Sequence, residues 1–388
     1  VVCAAGNDNN EGQFYPASFD FALSVGGTNS TNTKWVSSGT FGSNFNEHVD
    51  ICAPGHNIYT VTTGGGTISG RAGTSFSAPI VSGAAGLVWG GNLAYTGMQV
   101  GEILKATADS LEFIPGNGAY TGKLGEGLLN CERSVTESGF PGLYMYDFIF
   151  TGNNQGKFAI GDTVTVSSKI VNFLDASGAG TKAVISTSSA HIQMITSTVN
   201  VGAMPASSNA DLATTPFKFV ILPTMPVGGT VGFVFTMTDG TYNTKRYTEE
   251  DFNIDYVDIT ENKIGTSIGA SGKFGYNQLG AQTPGLGFTY KGSTSLLYRM
   301  GLMVTDNASQ ISYVLDGDFQ TESQMRVKDP GAESDFDVYT NYNDSAAATK
   351  LSISVKQKSL AWGKTEYEDF VILEYKLINK SATAYTNL

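Results

Sequence analysis

At 388 residues the chain is too long for one ordinary domain, and two or three domains of ~100–150 residues each are expected. A formal net charge of -12 without a Lys/Arg cluster argues against nucleic acid or an anionic membrane as partner, and no apolar run approaches the ~20 residues that span a bilayer. The 47 glycines, with long stretches dominated by Thr, Ser, Val, Tyr and Phe, favour β-structure with many turns.

Val1-Val2-Cys3-Ala4-Ala5 opens the chain as a buried-strand pattern that runs into a Gly6-Asn7 turn, without initiator methionine or polar lead-in. Tyr15-Pro16-Ala17-Ser18 leads into Ala22–Gly27, a short strand closed by glycines. The segments Trp35–Ser43 and Val49–Gly55 follow. Ile58–Thr62 and Thr67–Ser69 flank Thr63-Gly64-Gly65-Gly66 and read as a hairpin. No Gly-Lys-Ser/Thr follows those glycines, which sets a phosphate-binding loop aside. Cys3 and Cys52 lie in apolar contexts and read as buried free thiols, and with Cys131 they make no disulfide framework. His48, His56 and His191 sit apart from the cysteines and from each other, so no metal-ligand spacing is present.

Gly73-Thr74-Ser75-Phe76-Ser77-Ala78-Pro79 then opens a run of small and apolar residues, a loop turning into a buried helix with Ser75 near its N-terminus. The first backbone N–H groups of a helix have no intrahelical partner, so an oxyanion forming beside Ser75 meets free donors and the positive end of the helix dipole. The plain alternative is that Thr74 or Ser75 merely caps the helix. Gly83 and Gly86 each cost roughly 1 kcal/mol in a helix interior relative to alanine, which predicts close packing against another backbone. After Gly90-Gly91, Thr96 and Gln99 form a capping-box pattern for a helix through Val100, Ile103, Leu104 and Ala108.

The stretch Gly73–Pro79 with its Gly-Ala-Ala helix resembles the serine-nucleophile motif of the subtilisin-like serine peptidases, the subtilases. The resemblance implies a partial α/β fold, a parallel sheet flanked by helices, over residues 1–134, with Ser75 as nucleophile. It implies that Asn7, at the end of an Ala-Ala-Gly-Asn strand, donates its amide into the oxyanion hole. Ala4, Ala5 and Gly6 would form one wall of the main specificity pocket, with Thr74 lining the site and Asp8 near the pocket rim. The rival role for Asp8 is a cap on the Asn7 turn. The family pattern also implies a cis Tyr15-Pro16 bond, matches Val49–Gly55, and makes Gly125–Asn130 the closing segment of the domain.

The family's chemistry needs a serine, a histidine base, an aspartate that orients it, and oxyanion donors. In family order the aspartate and histidine motifs, Asp-Ser/Thr-Gly and His-Gly-Thr, come first, and neither occurs here. The expectation is therefore that they lie upstream of Val1, that the partner this segment needs is the N-terminal half of the peptidase domain, and that these residues alone are nearly inactive. His48 and His56 fall on segments that are surface turns in the family.

Beyond Pro141-Gly142 the helical period vanishes. Val164, Val166 and Ile170 alternate with polar residues, and Val231–Thr238 meets an Asp239-Gly240 turn, a strong hairpin signal. Residues 143–257 are expected to form an immunoglobulin- or fibronectin-like β-sandwich. Residues 258–388 are expected to form a second β-rich module, cut short, with strands around Ile353 and over Phe370–Leu377 and another beginning at Ala384. Large secreted bacterial subtilases carry such modules after the peptidase domain, which implies an extracellular or cell-surface location and a peptide or protein substrate. No cofactor is predicted; Asp316-Gly317-Asp318 has a calcium-like spacing but lacks the other ligands, so it reads as a turn and a structural calcium stays open. Two other readings stand beside the peptidase: a non-catalytic surface protein built on a degenerate subtilase fold, and a carbohydrate- or protein-binding module protein acting through residues 143–388.

Overall fold

A small parallel sheet organises the first segment of the computed structural model, which describes residues 1–152, 158–278, 281–306, 311–386 and 388. Its strands Val2–Ala4, Leu23–Thr28 and Ile51–Pro54 lie side by side in that order, with Val25 central to the register. Their short runs of apolar and small residues suit strands covered by a helix. Helix α1 (Thr74–Gly91) supplies that cover, burying Val81, Ala84 and Val88 against Val25, Ile51 and Ala53. Helix α2 (Gly97–Ala106) adds Val100, Ile103 and Leu104 to the same core. Its start is fixed by the expected capping box, with Thr96 N–H donating to Gln99 Oε1 at 2.8 Å and Gln99 N–H to Thr96 Oγ1 at 3.3 Å.

Three features differ from the sequence reading. The N-cap of α1 is Gly73, at φ 146° and with no side-chain cap bond, so neither Thr74 nor Ser75 caps the helix. Gly83 and Gly86 are exposed, and among the described residues nothing lies within 4 Å of a Cβ built on either. The close approach that demands glycine is on the sheet side: a Cβ at Gly55 would stand 2.6 Å from Ser77 Oγ. Finally, α3 (Cys131–Thr136) runs through the expected boundary at Ser134, because the Asn130 side chain accepts the Arg133 N–H at 3.0 Å and nucleates a last helical turn. The Tyr15-Pro16 bond is cis, as the resemblance implied. Cys3 and Cys52 are buried, Cys131 is exposed, and all three are free.

The second segment, residues 143–252, holds two antiparallel sheets. One has the strand order Thr198–Asn200, Lys182–Ser186, Gly229–Asp239, Tyr242–Phe252. The other is built around Thr163–Asn172, which pairs with Leu143–Thr151, Ser208–Asp211 and Phe217–Ile221. A single hydrophobic cluster draws Val164, Val166 and Phe219 from one sheet and Ile185, Phe233 and Phe235 from the other, and the Phe219 and Phe233 rings stack at 5.1 Å. The expected hairpin closes on an Asp239–Tyr242 pair, which moves the two-residue loop to Gly240-Thr241. Gly240 takes φ 58° there, a left-handed conformation that glycine adopts freely.

The third segment holds a four-stranded antiparallel sheet in the order Gln320–Lys328, Phe336–Asn343, Ile353–Ala361, Val371–Asn379. Val327, Val338 and Ala361 of this sheet pack with Val257 and Ile268 from a smaller one. Asp318 Oδ2 accepts the Tyr313 N–H at 2.9 Å, a turn, and no group of three or more His, Cys, Asp or Glu able to hold a metal exists among the described residues. Residues 384–386 form no strand; Tyr385 donates its hydroxyl to Leu351 O at 2.6 Å.

The first two segments meet across a charged seam. The Arg246 guanidinium lies 4.3 Å from the centre of the Tyr144 ring, pairs with Asp20 and stands 3.7 Å from Asp50. Asp50 in turn accepts the Ser24 N–H at 2.8 Å, and Tyr144 OH accepts the Phe21 N–H at 3.1 Å. Beside them Glu102 and Lys105, both buried, pair at 2.8 Å. No helix among the described residues is long and apolar enough to cross a membrane.

Candidate active site

The start of α1 is pinned to the sheet by three bonds. Gly73 N–H donates to Gly55 O at 2.8 Å, and Ser77 Oγ reaches Ala53 O at 3.1 Å and Pro54 O at 3.2 Å. Pro79 lacks the N–H that would bond the Ser75 carbonyl one turn earlier, so that carbonyl is left out of the helix ladder. Within this frame Thr74 is buried and Ser75 is exposed.

Asn7 arrives from the sheet. Ala5 N–H donates to Val25 O at 3.0 Å, Gly6 turns the chain at φ 103°, and Asn7 follows half-buried. Its side-chain Oδ1 accepts the Thr74 N–H at 2.8 Å and the Thr74 hydroxyl at 3.0 Å. A backbone N–H only donates, so Oδ1 must face Thr74 and Nδ2 faces the other way. A methyl group placed on Gly73 would lie 3.1 Å from Ser75 Oγ, 3.6 Å from Asn7 Oδ1 and 3.7 Å from Asn7 Nδ2. Thus the serine hydroxyl and the Asn7 amide share one small volume at the positive end of an 18-residue helix.

The remaining candidates divide. Thr74 Oγ1 accepts the Gly6 N–H at 3.2 Å and so joins Gly6 to the serine loop. Ala4 is half-buried in the edge strand, while Ala5 faces inward and packs with Val49 and Cys52. Asp8 is exposed; its N–H donates to Asn44 Oδ1 at 2.7 Å, and Asn44 Nδ2 donates to Asp8 Oδ2 at 3.4 Å.

Asn44 and Phe14 are neighbours that sequence reasoning missed. Asn44 N–H also donates to Gly6 O at 3.0 Å, so one residue clamps the backbone on both sides of Asn7. The Phe14 ring covers Gly6, where an added Cβ would meet Phe14 Cγ at 3.0 Å and Asn44 Nδ2 at 2.3 Å. Nothing local in the sequence marks either residue, because each acts across a gap in the chain.

Two buried titratable groups support this wall. Lys34 Nζ donates to Asn9 Oδ1 at 2.5 Å and lies 4.7 Å and 4.8 Å from the ring centres of Phe45 and Tyr120; burial pushes its pKa down to about 8. Burial pushes the Cys52 thiol up to about 12.

Neither His48 nor His56 has a hydrogen bond to Ser75 among the described residues. His48 meets the Tyr247 ring edge-on at 5.5 Å, and burial, with Arg246 adding to it, pulls its pKa below the ordinary value. His56 is exposed and stacks on Trp35 at 6.4 Å.

The family model described as the subtilase family matches residues 1–129. Subtilisin NAT of Bacillus subtilis subsp. natto is 37% identical over 139 residues, covering 35% of this chain and 33% of its own length. Subtilisin Savinase of Lederbergia lenta is 36% identical over 135 residues, covering 35% and 45%. The cell wall-associated protease of Bacillus subtilis is 34% identical over 113 residues, covering 29% and 12%. The chain thus spans about a third of the length of subtilisin NAT. Solved structures similar to it include the prenylagaramide maturation protease PagA, at 30% identity and TM-score 0.30 over 34% of this chain and 48% of that one. The subtilase cytotoxin SubAB assembly aligns at 28% identity and TM-score 0.30 over 35% and 47%. Residues 1–129 are a segment of the subtilase family.

Proposed function

We propose that residues 1–134 carry the nucleophile and oxyanion half of a secreted serine endopeptidase. Ser75 Oγ attacks the carbonyl carbon of a peptide bond, and the Asn7 amide with the Ser75 backbone N–H receives the negative charge that builds on the carbonyl oxygen. The acyl-enzyme forms as the amine leaves, and water then releases the acid product. The proton that leaves Ser75 needs a histidine base, oriented by an aspartate, and in this reading both come from a polypeptide segment preceding residue 1. Residues 143–257, as an immunoglobulin-like sandwich, and 258–388, as a second β-rich module, are non-catalytic. The name of the cell wall-associated relative agrees with an extracellular location.

The observation that carries the reading is the pair of bonds from Thr74 to Asn7 Oδ1, at 2.8 Å and 3.0 Å, which turns the Asn7 amide out beside an exposed serine hydroxyl. The test uses a polypeptide that includes the Asp and His motifs together with residues 1–388. It should hydrolyse casein and be labelled by a fluorophosphonate probe, and Ser75→Ala should abolish both. Hydrolysis that survives Ser75→Ala refutes the assignment. A wild-type protein that is neither active nor labelled points to the non-catalytic platform.

A further inference from the structure

The four-stranded sheet of the third segment ends on Val371–Asn379, and among the described residues no strand pairs with the outer side of that edge. Natural edge strands are usually short, bulged, broken by proline or guarded by inward charges. This one is nine residues long, pairs with Ile353–Ala361 without a register shift and contains no proline. The residues after it turn away, with Tyr385 anchored on Leu351.

The direction of its free hydrogen-bonding groups follows from one bond. Lys380 N–H donates to Ser352 O at 2.8 Å, while Ile353 stands opposite Asn379. In an antiparallel ladder that bond flanks a non-hydrogen-bonded pair. Asn379 therefore turns its N–H and C=O away from the neighbouring strand, and by alternation so do Leu377, Tyr375, Leu373 and Val371.

Around Tyr375 the strand reads chemically alike in both directions: Ile372-Leu373-Glu374-Tyr375-Lys376-Leu377-Ile378. We propose that this edge pairs antiparallel with the same edge of a second copy of the chain, about a two-fold axis through Tyr375. In that register Glu374 of each copy faces Lys376 of the other, Leu373 faces Leu377, and Ile372 faces Ile378. The outward N–H and C=O groups of residues 371, 373, 375, 377 and 379 meet their counterparts. Slipping the register by one residue would turn the outward groups out of phase. Slipping by two in either direction would set Glu374 against Glu374 or Lys376 against Lys376, so charge selects the centred pairing.

The existing surface fits this partner. Lys376 stands opposite Lys356 across the ladder, two like charges that are both exposed, and Glu374 of the second copy brings them a carboxylate. Ile372, 44% exposed, and Leu377, 41% exposed, would be covered by Ile378 and Leu373 of the second copy. The contact is isologous and closes at two copies.

Sedimentation velocity of the 388-residue chain over a wide concentration range should show a monomer–dimer equilibrium. Glu374→Lys and Lys376→Glu should each weaken dimerisation at least ~tenfold, since each sets like charges opposite twice. An equimolar mixture of the two variants should dimerise again, as should the double variant E374K/K376E, because positions 374 and 376 then carry opposite charges across the two-fold, although replacing Glu374 also removes its ion pair to Lys358 within the chain. Leu377→Pro removes an outward N–H, leaves the ladder to Ile353–Ala361 unbroken, and should abolish the dimer. Circular dichroism checks that each variant is folded. The proposal is overturned by a chain that stays monomeric, by a dimer indifferent to both single charge changes, or by a mixture that fails to restore it. A strand of another protein or of a longer form of this chain occupying the edge would appear as one of those outcomes.

Discussion

The backbone N–H of Thr74 donates to the side-chain oxygen of Asn7 at 2.8 Å, joining two residues 67 positions apart. This bond decides which end of the Asn7 amide faces Thr74. Rotating the amide would place an NH₂ against the Thr74 N–H, donor facing donor. In the triad-complete polypeptide, Asn7→Ala should lower kcat by ~10²–10³ with little change in KM, because the donor acts on charge that exists only in the transition state. A rise in KM at constant kcat would instead assign Asn7 to ground-state binding.

Thr74→Val keeps the backbone donor and removes the hydroxyl that links Gly6 and Asn7. It leaves the buried Gly6 N–H without its partner, so stability should fall by ~1–3 kcal/mol in a urea titration. If Asn7 is held chiefly by the backbone bond, kcat changes much less than in Asn7→Ala.

Asp8 is tied to Asn44, and its carboxylate is exposed. An exposed charge of this kind is worth ~0–1 kcal/mol. The ratio of cleavage after Lys to cleavage after Leu, measured on a peptide library, should therefore shift little in Asp8→Asn. Phe14→Ala, which uncovers Gly6, should shift the preference toward larger side chains at that position far more.

Lys34 gives a pH signature. Its pKa is about 8 in the folded chain, below its ordinary value, because burial disfavours the charged form. Between that value and the ordinary lysine range the unfolded chain binds more protons than the folded one, so this residue makes stability rise with pH through that window. Lys34→Met should flatten the rise in a series of urea midpoints from pH 7 to pH 10. An unchanged slope would show that Lys34 remains charged in the fold.

 

At the seam between the first two segments, the buried Arg246 guanidinium is shared between Asp20 and Asp50 beside the Tyr144 ring, and its burial makes its loss expensive. Arg246→Ala strips Asp50 of that counter-charge, which should destabilise the chain toward the low end of ~3–5 kcal/mol. Scanning calorimetry should also show the first two segments melting less cooperatively. An unchanged profile would mean that the seam is carried by its apolar contacts alone.

Much of this architecture is legible in the sequence because the signals are local. The capping box at Thr96 and Gln99, the alternation of Val164, Val166 and Ile170, and the turn at Gly240 each depend on residues within a few positions of one another. Ser75 and Asn7 are legible through their resemblance to a family motif. Asn44 and Phe14 are not, since their partners are set by tertiary approach and an asparagine or phenylalanine in a loop carries no periodic mark. The cap of α1 is set by tertiary approach as well: Thr74 has the chemistry of a cap, but its hydroxyl is taken by Gly6 and Asn7, and the capping position falls to Gly73.

The bare side of α1 offers a gauge of assembly. With nothing within 4 Å of a Cβ at Gly83 or Gly86, alanine at either site meets no steric objection in this chain and should raise helix stability by roughly 0.5–1 kcal/mol. In a longer polypeptide that lays another backbone along the same face, the same methyl groups would collide. The sign of the alanine effect thus distinguishes a covered helix from a bare one without any assay of activity.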